Sequence, residues 1–213
     1  IIASLLGVGK ISYLYFSDRL MEFPLALFGI ALATVMLPTL SRQAANDEMQ
    51  DFSKTIDWSM KLVVLVAFPA AIGLVILASP LLATLFYGGI FSRLDVTMAA
   101  VSLQAFALGL VGFSFVKILA PAYFAREDTR TPVKYGLIAL AVNFVLSVFM
   151  AWYLTRIGYA ASHAGLALAT SVAAIVNAWL LYRGLRVRRL LTHASGWGRL
   201  ILRALVANVA MIA

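Results

Sequence analysis

The chain has 213 residues, of which 63% are hydrophobic and 12% are charged, and its mean hydropathy is +0.95. A soluble domain carries about twice that charged fraction, so the composition excludes an ordinary soluble protein and predicts a membrane protein. The basic residues behind the net charge of +8 border apolar runs, which membrane topology explains better than nucleic-acid binding. With no cysteine and two histidines, neither a disulfide framework nor a His and Cys metal cluster is expected.

The first predicted span, residues 11–40, carries three charges in its first half. Asp18, Arg19 and Glu22 stand in the stretch DRLME, and the rest of the span is uncharged. A charge at bilayer depth costs from a few to about 10 kcal/mol, so it usually faces a protein interior or a water-filled cavity. The spacing of three and four residues predicts one polar cluster on one helix face. Pro24 follows at once and is predicted to kink the helix beside that cluster.

The second span is predicted within a long uncharged run. A polar stretch, residues 41–55, is expected to form a loop or a short surface helix before it. The run itself covers residues 62–92 without a charge. It is long enough for one span, predicted to end near Pro80 with a kink at Pro69, and then an apolar hairpin through Gly88.

The later spans are predicted from helix-start signals and from length. Ser92 with Asp95 three residues later has the pattern of a capping box, and Thr131 before Pro132 predicts another helix start. Pro121 is expected to end the third span. Apolar runs of about 20 residues can cross a bilayer; they cover residues 96–116, 135–155 and 164–182, and another begins at 204. The predicted fold is therefore all-α, a polytopic transmembrane helix bundle with five full spans and the start of a sixth.

The basic residues predict the orientation of the bundle. Thirteen of the 17 Lys and Arg residues lie in or beside the loops after the first, third and fifth spans. The positive-inside rule places these alternate loops in the cytoplasm. The first span then begins outside, and at 1.5 Å per residue Arg19 lies about 14 Å in from Lys10, in the outer half of the membrane near its middle.

Several polar features have a structural explanation. The charged cluster could be a buried ion pair that locks two helices, although three charges summing to −1 need further partners. Asn143, Ser147 and Asn177 are expected to form interhelical hydrogen bonds. Small residues at four-residue spacing, from Ala161 to Ala173, predict close helix packing. The basic run RGLRVRRLL could bind anionic lipid headgroups, but topology already accounts for it.

No pattern in the sequence indicates chemistry. His163 and His193 are predicted to sit in loops, and neither is given a role. A nucleophile with an adjacent base, a phosphate-binding loop and a metal motif are not found, so neither enzymatic activity nor a cofactor or metal is expected.

The stretch DRLMEFPLALFGIALATVMLPTLS resembles the MurJ (MviN) family of lipid II flippases. KILAPAYFAREDTRTPVK and LFYGGIF strengthen the likeness, which covers nearly the whole chain. The resemblance implies a transporter of the multidrug/oligosaccharidyl-lipid/polysaccharide exporter superfamily, with fourteen transmembrane helices in two bundles. Because the chain opens without Met and stops inside an apolar run, we expect a fragment of that protein. It would comprise the end of helix 7 and charged helix 8 (1–41), helices 9–12 with short loops (42–182), and a basic cytoplasmic loop with truncated helix 13 (183–213).

The resemblance also implies a function and a site. The family moves lipid II, the undecaprenyl-pyrophosphate-linked peptidoglycan precursor, from the inner to the outer leaflet of the bacterial cytoplasmic membrane. Asp18, Arg19 and Glu22 match its helix 8 motif residue by residue. Arg19 would bind the pyrophosphate, because its planar donor fork suits phosphate. Asp18 and Glu22 would orient Arg19 or couple to a cation or proton, and Pro24 would help the helix rock.

The implied partners are lipid II, membrane lipids and the N-terminal bundle of the same protein, which holds the family's other important arginines; no nucleic acid is expected. Three alternatives stay open. They are a drug/cation antiporter or a polysaccharide-lipid exporter of the same superfamily, and a structural membrane subunit that transports nothing. An antiporter for cationic drugs would favour a more acidic cavity than a cluster of net charge −1 provides.

Overall fold

A computed structural model describes residues 9–88, 91–159, 161–191 and 196–212 of the protein. Within these ranges every regular element is a helix, which confirms the predicted all-α class. The seven helices are α1 (Lys10–Ala45), α2 (Met49–Phe86), α3 (Arg93–Ala107), α4 (Leu110–Phe124), α5 (Arg130–Arg156), α6 (Ala164–Val187) and α7 (Trp197–Ile212).

The helices match the predicted order of spans. Among the described residues, α2, α5 and α6 are long and apolar enough to cross a membrane, and α3 with α4 qualifies as one bent span. α1 has 36 residues, and at 1.5 Å per residue its length of about 54 Å exceeds a hydrocarbon core of about 30 Å. α7, with 16 residues, corresponds to the start of the sixth predicted span.

The polar stretch over residues 41–55, expected to be a loop or a short surface helix, is mostly helical, but it belongs to the ends of the two long helices and is not a separate helix. α1 continues to Ala45 and α2 begins at Met49, which leaves a turn of three residues. Most of the polar side chains occupy exposed helix faces, while Phe52 and Ile56 are fully buried on the inner face together with the polar Gln43 and Ser53. The stretch therefore consists of the amphipathic ends of α1 and α2. The buried residues on their inner faces pack these ends against the rest of the bundle.

Two prolines expected to end helices lie inside them. α2 continues through Pro80 to Phe86, and α4 continues through Pro121 to Phe124. Tight packing compensates for the backbone hydrogen bond that a proline removes, because Ala78 and Leu82 beside Pro80 are completely buried. After α2 the chain reverses at the predicted hairpin, where an antiparallel bridge joins Gly88 to Phe91; Gly89 lies outside the described residues.

The third span begins as predicted but is broken in its middle. The Ser92 hydroxyl accepts a hydrogen bond from the backbone N–H of Asp95, and the Asp95 carboxylate accepts one from the Ser92 N–H, so the capping box is confirmed. α3 and α4 then meet at a bend of 42°. At the break, α6 lies so close that a Cβ on Gly109 would stand 2.7 Å from the Ser171 Cα. The Ser171 hydroxyl donates to the Ala105 carbonyl at 2.7 Å, which satisfies a backbone group at the break.

α5 starts slightly earlier than predicted and is capped by a different residue. Thr129 precedes the first helical residue, Arg130. The Asp128 carboxylate accepts hydrogen bonds from the Thr131 N–H at 3.0 Å and from the Thr131 hydroxyl at 2.7 Å. Asp128 therefore provides the capping acceptor that had been expected from Thr131, because a carboxylate can accept both bonds at once.

Close packing of α6 follows the predicted small residues. Ala161, Ala169 and Ala173 are all buried. A Cβ on Gly165 would meet the Leu154 Cδ1 of α5 at 2.6 Å and the Met150 Cβ at 3.0 Å, so glycine lets α5 and α6 approach closely here. The stripe therefore serves helix packing, as expected.

Contacts between helix termini define two ends of the bundle. At one end, Lys10 of α1 donates to the Ser162 hydroxyl before α6 at 2.8 Å. At the other, the Tyr123 hydroxyl of α4 donates to the Leu181 carbonyl of α6 at 2.7 Å. We call the second the basic end, because it gathers the three basic loops. It comprises residues 42–61, 117–134, 183–191 and 196–203.

Candidate functional site

Arg19 and Glu22 form an exposed ion pair on α1. The Arg19 Nη1 lies 2.9 Å from the Glu22 Oε2, and the two side chains are 60% and 49% exposed. One turn earlier, the Tyr15 ring lies beneath the Arg19 guanidinium, 5.2 Å from its central carbon to the ring centroid. Stacking engages the face of the guanidinium and Glu22 engages one edge, so further N–H donors remain for a ligand.

This arrangement differs from the predicted single cluster. Arg19 pairs with Glu22, whereas Asp18 is half-buried and lines a cavity of about 410 Å³ between α1, α3, α5 and α6. Consecutive residues on an α-helix point about 100° apart, so Asp18 and Arg19 diverge. The pair also lies within one helix, so it does not lock two helices as the structural alternative required.

The cavity beside Asp18 brings together polar residues whose association the sequence analysis missed. Asn143 and Ser147 of α5 and Thr170 of α6 line it. The Ser147 hydroxyl donates to the Asn143 Oδ1 at 3.1 Å, so this bond is within α5 and not interhelical as expected. Their four-residue spacing inside an apolar span was the available signal.

Pro24 lies inside α1, two residues beyond Glu22, and the helix is continuous through it. The predicted kink and its mechanical role stay a prediction.

A second charged group, not singled out from the sequence, lies at the basic end. Asp57 of α2 is 5% exposed. Its carboxylate is 2.7 Å from the Lys61 ammonium and accepts a hydrogen bond from the Trp197 indole N–H at 2.8 Å. The acidic and basic residues at i and i+4 were visible in the sequence, but the contribution of α7 was not.

A third ion pair joins the loop before α5 to the end of α6. The Arg188 guanidinium contacts the Asp128 carboxylate and donates to the Thr131 hydroxyl at 2.8 Å. The Thr131 hydroxyl and the Arg188 guanidinium both stabilise the charged carboxylate, and they lower the pKa of Asp128 to about 2.

His163 lies in the turn before α6, as expected, but it is not exposed there. It is fully buried where α6 begins, with its Nε2 3.1 Å from the Met98 carbonyl oxygen and its ring 5.2 Å from that of Tyr13. Burial lowers the pKa of His163, so the neutral ring joins α1, α3 and α6. His193 lies outside the described residues.

Long apolar helices, joined by connections that are alternately rich and poor in basic residues, define a multi-pass membrane protein. The family model for lipid II flippase MurJ matches residues 1–213. The chain belongs to the lipid II flippase MurJ family.

Relatives at the sequence level agree with this assignment. The chain is 48% identical over 198 residues to the probable lipid II flippase MurJ of Vibrio cholerae, covering 92% of this chain and 36% of that protein. It is 40% identical over 210 residues to the lipid II flippase MurJ of Burkholderia cenocepacia, covering 99% of this chain and 39% of that protein. The chain thus spans about two fifths of the length of these relatives.

A solved structure shares the fold. It is described as lipid II flippase MurJ in an inward closed conformation, and the two superpose with a TM-score of 0.81 at 24% sequence identity. The match covers 99% of this chain and 42% of that one. The likeness therefore supports the helical-bundle fold described above.

Proposed function

We propose that this chain is part of a flippase that moves lipid II from the inner to the outer leaflet of the bacterial cytoplasmic membrane by alternating access. Membrane potential or ion coupling supplies the direction, and the work involves no covalent chemistry. In this proposal residues 1–41, 42–182 and 183–213 correspond to the end of helix 7 with helix 8, helices 9–12, and the start of helix 13. The N-terminal bundle of the same protein completes the cavity.

The observation that carries the proposal is the exposed Arg19. Its guanidinium is held by Tyr15 and Glu22 yet keeps donors unused, which suits a pyrophosphate that arrives and leaves. Bidentate donation to phosphate can replace the contact to Glu22. Asp18 faces the neighbouring polar cavity instead, where a cation or a proton could neutralise it. We therefore assign Arg19 and Glu22 to the substrate headgroup and Asp18 to coupling.

The orientation is part of the proposal. With the basic end in the cytoplasm, Asp47 and Arg126 face inward and Arg93 and Gly158 face outward. Because the chain has no cysteine, single cysteines at these positions can be labelled in intact cells with an impermeant thiol reagent, once any cysteines elsewhere in the full-length protein are replaced. Labelling at 93 and 158, with protection at 47 and 126, is expected. Labelling at 126 would reverse the orientation.

The functional test is rescue of a bacterium depleted of its own lipid II flippase. The full-length protein is expected to restore growth, and Arg19→Ala is expected to abolish rescue. Arg19→Lys keeps the charge but loses the bidentate fork, so it should rescue poorly. Arg156→Ala is the matched control, because Arg156 also lies over an aromatic ring on its own helix, 5.6 Å from Trp152, away from the site. Normal growth with Arg19→Ala at matched expression refutes the assignment.

A further inference from the structure

A groove of about 890 Å³ opens between α2, α4, α6 and α7, on residues that the flippase proposal does not use. Its walls are apolar and include Leu108 at the break between α3 and α4, Val111 and Phe115 of α4, and Ile175 of α6. The volume is within the range of ligand sites, about 300–1,000 Å³. From Val111 to Leu119 the groove follows α4 for about 12 Å, which suits part of an extended hydrocarbon chain.

The mouth of the groove has a different chemistry. Three aromatic residues line it, Trp179, Tyr182 and Trp197. Each carries a cation over its ring, with centroid distances of 5.1 Å for Arg183, 6.0 Å for Arg186 and 5.9 Å for Lys61. The rings hold these cations at the boundary between the apolar groove and the basic end.

The charges at the mouth are not equivalent. Asp57 also lines the groove, but Lys61 and the Trp197 N–H engage its carboxylate. Arg183 and Arg186, in contrast, are exposed in the last turn of α6. An apolar groove with two exposed guanidinium groups at its mouth is complementary to a long apolar chain that ends in a phosphate.

We propose that this groove binds an anionic phospholipid from the leaflet at the basic end, with an acyl chain along α4 and the phosphate between Arg183 and Arg186. A charged headgroup distinguishes this site from ordinary lipid contact, because a zwitterionic lipid gains less from the two arginines. Bound lipid would hold α7 against α6 and α4. It would contact the face of α4 opposite to the one that packs against α1, where Gly29 lies beside Lys117.

Native mass spectrometry of the full-length protein in detergent tests the site. Phosphatidylglycerol and phosphatidylcholine are titrated separately, and the apparent affinity of the tightest bound lipid is measured. Phosphatidylglycerol is expected to bind about 30-fold more tightly, since two Arg residues near an anionic headgroup contribute about 1 kcal/mol each and about 1.4 kcal/mol corresponds to tenfold in affinity. The double variant Arg183→Gln/Arg186→Gln should lose that preference, and Leu108→Trp, which fills the groove, should weaken both lipids.

Arg156→Gln is the matched control, because its guanidinium also lies over a tryptophan ring, that of Trp152, but on α5, which does not line the groove; the variant should bind both lipids like the unchanged protein. Equal affinity for the two lipids, or an unchanged preference in the double variant, overturns the proposal. Retention of a polyprenyl phosphate in place of phosphatidylglycerol overturns it too, because the groove would then belong to the substrate. A groove that retains neither lipid is filled by the rest of the full-length protein, which also contradicts the assignment.

Discussion

Arg19 with Glu22 on α1 and Asp57 with Lys61 on α2 are both acid–base pairs within one helix, but their surroundings differ. The Arg19 and Glu22 side chains are 60% and 49% exposed, while Asp57 is 7% and Lys61 22% exposed. The Asp57 carboxylate has a second donor in the Trp197 N–H.

This difference in exposure is our reason for treating Asp57 with Lys61 as a structural pair and for proposing Arg19 with Glu22 as the binding pair. A buried charge is tolerated only when the protein itself supplies its partners, and Asp57 meets that condition. An exposed pair on a spanning helix must instead face water, substrate or another part of the protein. Its exposure and unused donors are the reasons for which we propose Arg19 as the cation that binds substrate, and the charge pattern alone could not supply them.

The comparison predicts that removing the acid of each pair lowers the free energy of unfolding by very different amounts. Asp57→Ala leaves the partly buried Lys61 ammonium without its carboxylate and is expected to cost about 3–5 kcal/mol. Glu22→Ala removes a partner from an exposed pair and should cost less than about 1 kcal/mol. Denaturation of the full-length protein in detergent measures both. Equal losses in the two variants would remove the distinction.

The variant Trp197→Phe tests how much the hydrogen bond from Trp197 to Asp57 contributes to stability. The variant keeps a ring under Lys61 but removes the N–H that Asp57 accepts, so the expected loss is about 2 kcal/mol, as for a hydrogen bond to a charged group. The same denaturation measurement applies, and a loss as large as that of Asp57→Ala would mean that ring packing matters more than the hydrogen bond.

Replacing a proline of α1 and replacing one of α2 should have different effects on the rate of lipid II flipping. Pro24 lies two residues beyond Glu22, whereas Pro69 lies far along α2 from Asp57. Pro24→Ala should insert normally but slow flipping severalfold, because a flexible point beside the site helps the helix rock. Pro69→Ala should transport at the normal rate. Rates are compared at matched expression, and wild-type flipping by Pro24→Ala would exclude the mechanical role.

Loss of the third ion pair, Asp128 with Arg188, should have the smallest effect on stability, because both side chains are partly exposed. The folded state holds the pKa of Asp128 at about 2, below the ordinary value of 3.8. The stabilisation is therefore complete above about pH 4 and is lost as the pH falls toward 2. Asp128→Asn should be slightly less stable than wild type at pH 7, with the gap closing over that range. A gap that stays constant down to pH 2 would show that the charge does not contribute.

The sequence predicted the positions of the helices better than it predicted the contacts between them. Charge-free runs located α2, α5 and α6, because a span needs about 20 apolar residues whatever surrounds it. The break at Gly109 was not predicted, because it depends on Ser171, 62 residues away in sequence. The helix ends at Pro80 and Pro121 were placed wrongly because burial, which a local rule cannot include, outweighs the lost hydrogen bond.

The same limit applied to the candidate site. The DRLME spacing located Asp18, Arg19 and Glu22, but it merged two groups that point in different directions. The polar wall opposite Asp18 comes from α5 and α6, more than 120 residues further along the chain. Only the packing of three helices brings these residues together.

The most direct measurement of the central claim uses a neutral variant of the full-length protein, Asp18→Asn/Arg19→Gln/Glu22→Gln. Removing all three charges leaves no unpaired ion, so a purely structural cluster would be replaced without loss. We predict that this variant reaches the membrane at normal levels but fails to support growth of a flippase-depleted bacterium, because no guanidinium remains for the pyrophosphate. Growth at matched expression would contradict the claim that Arg19 binds substrate.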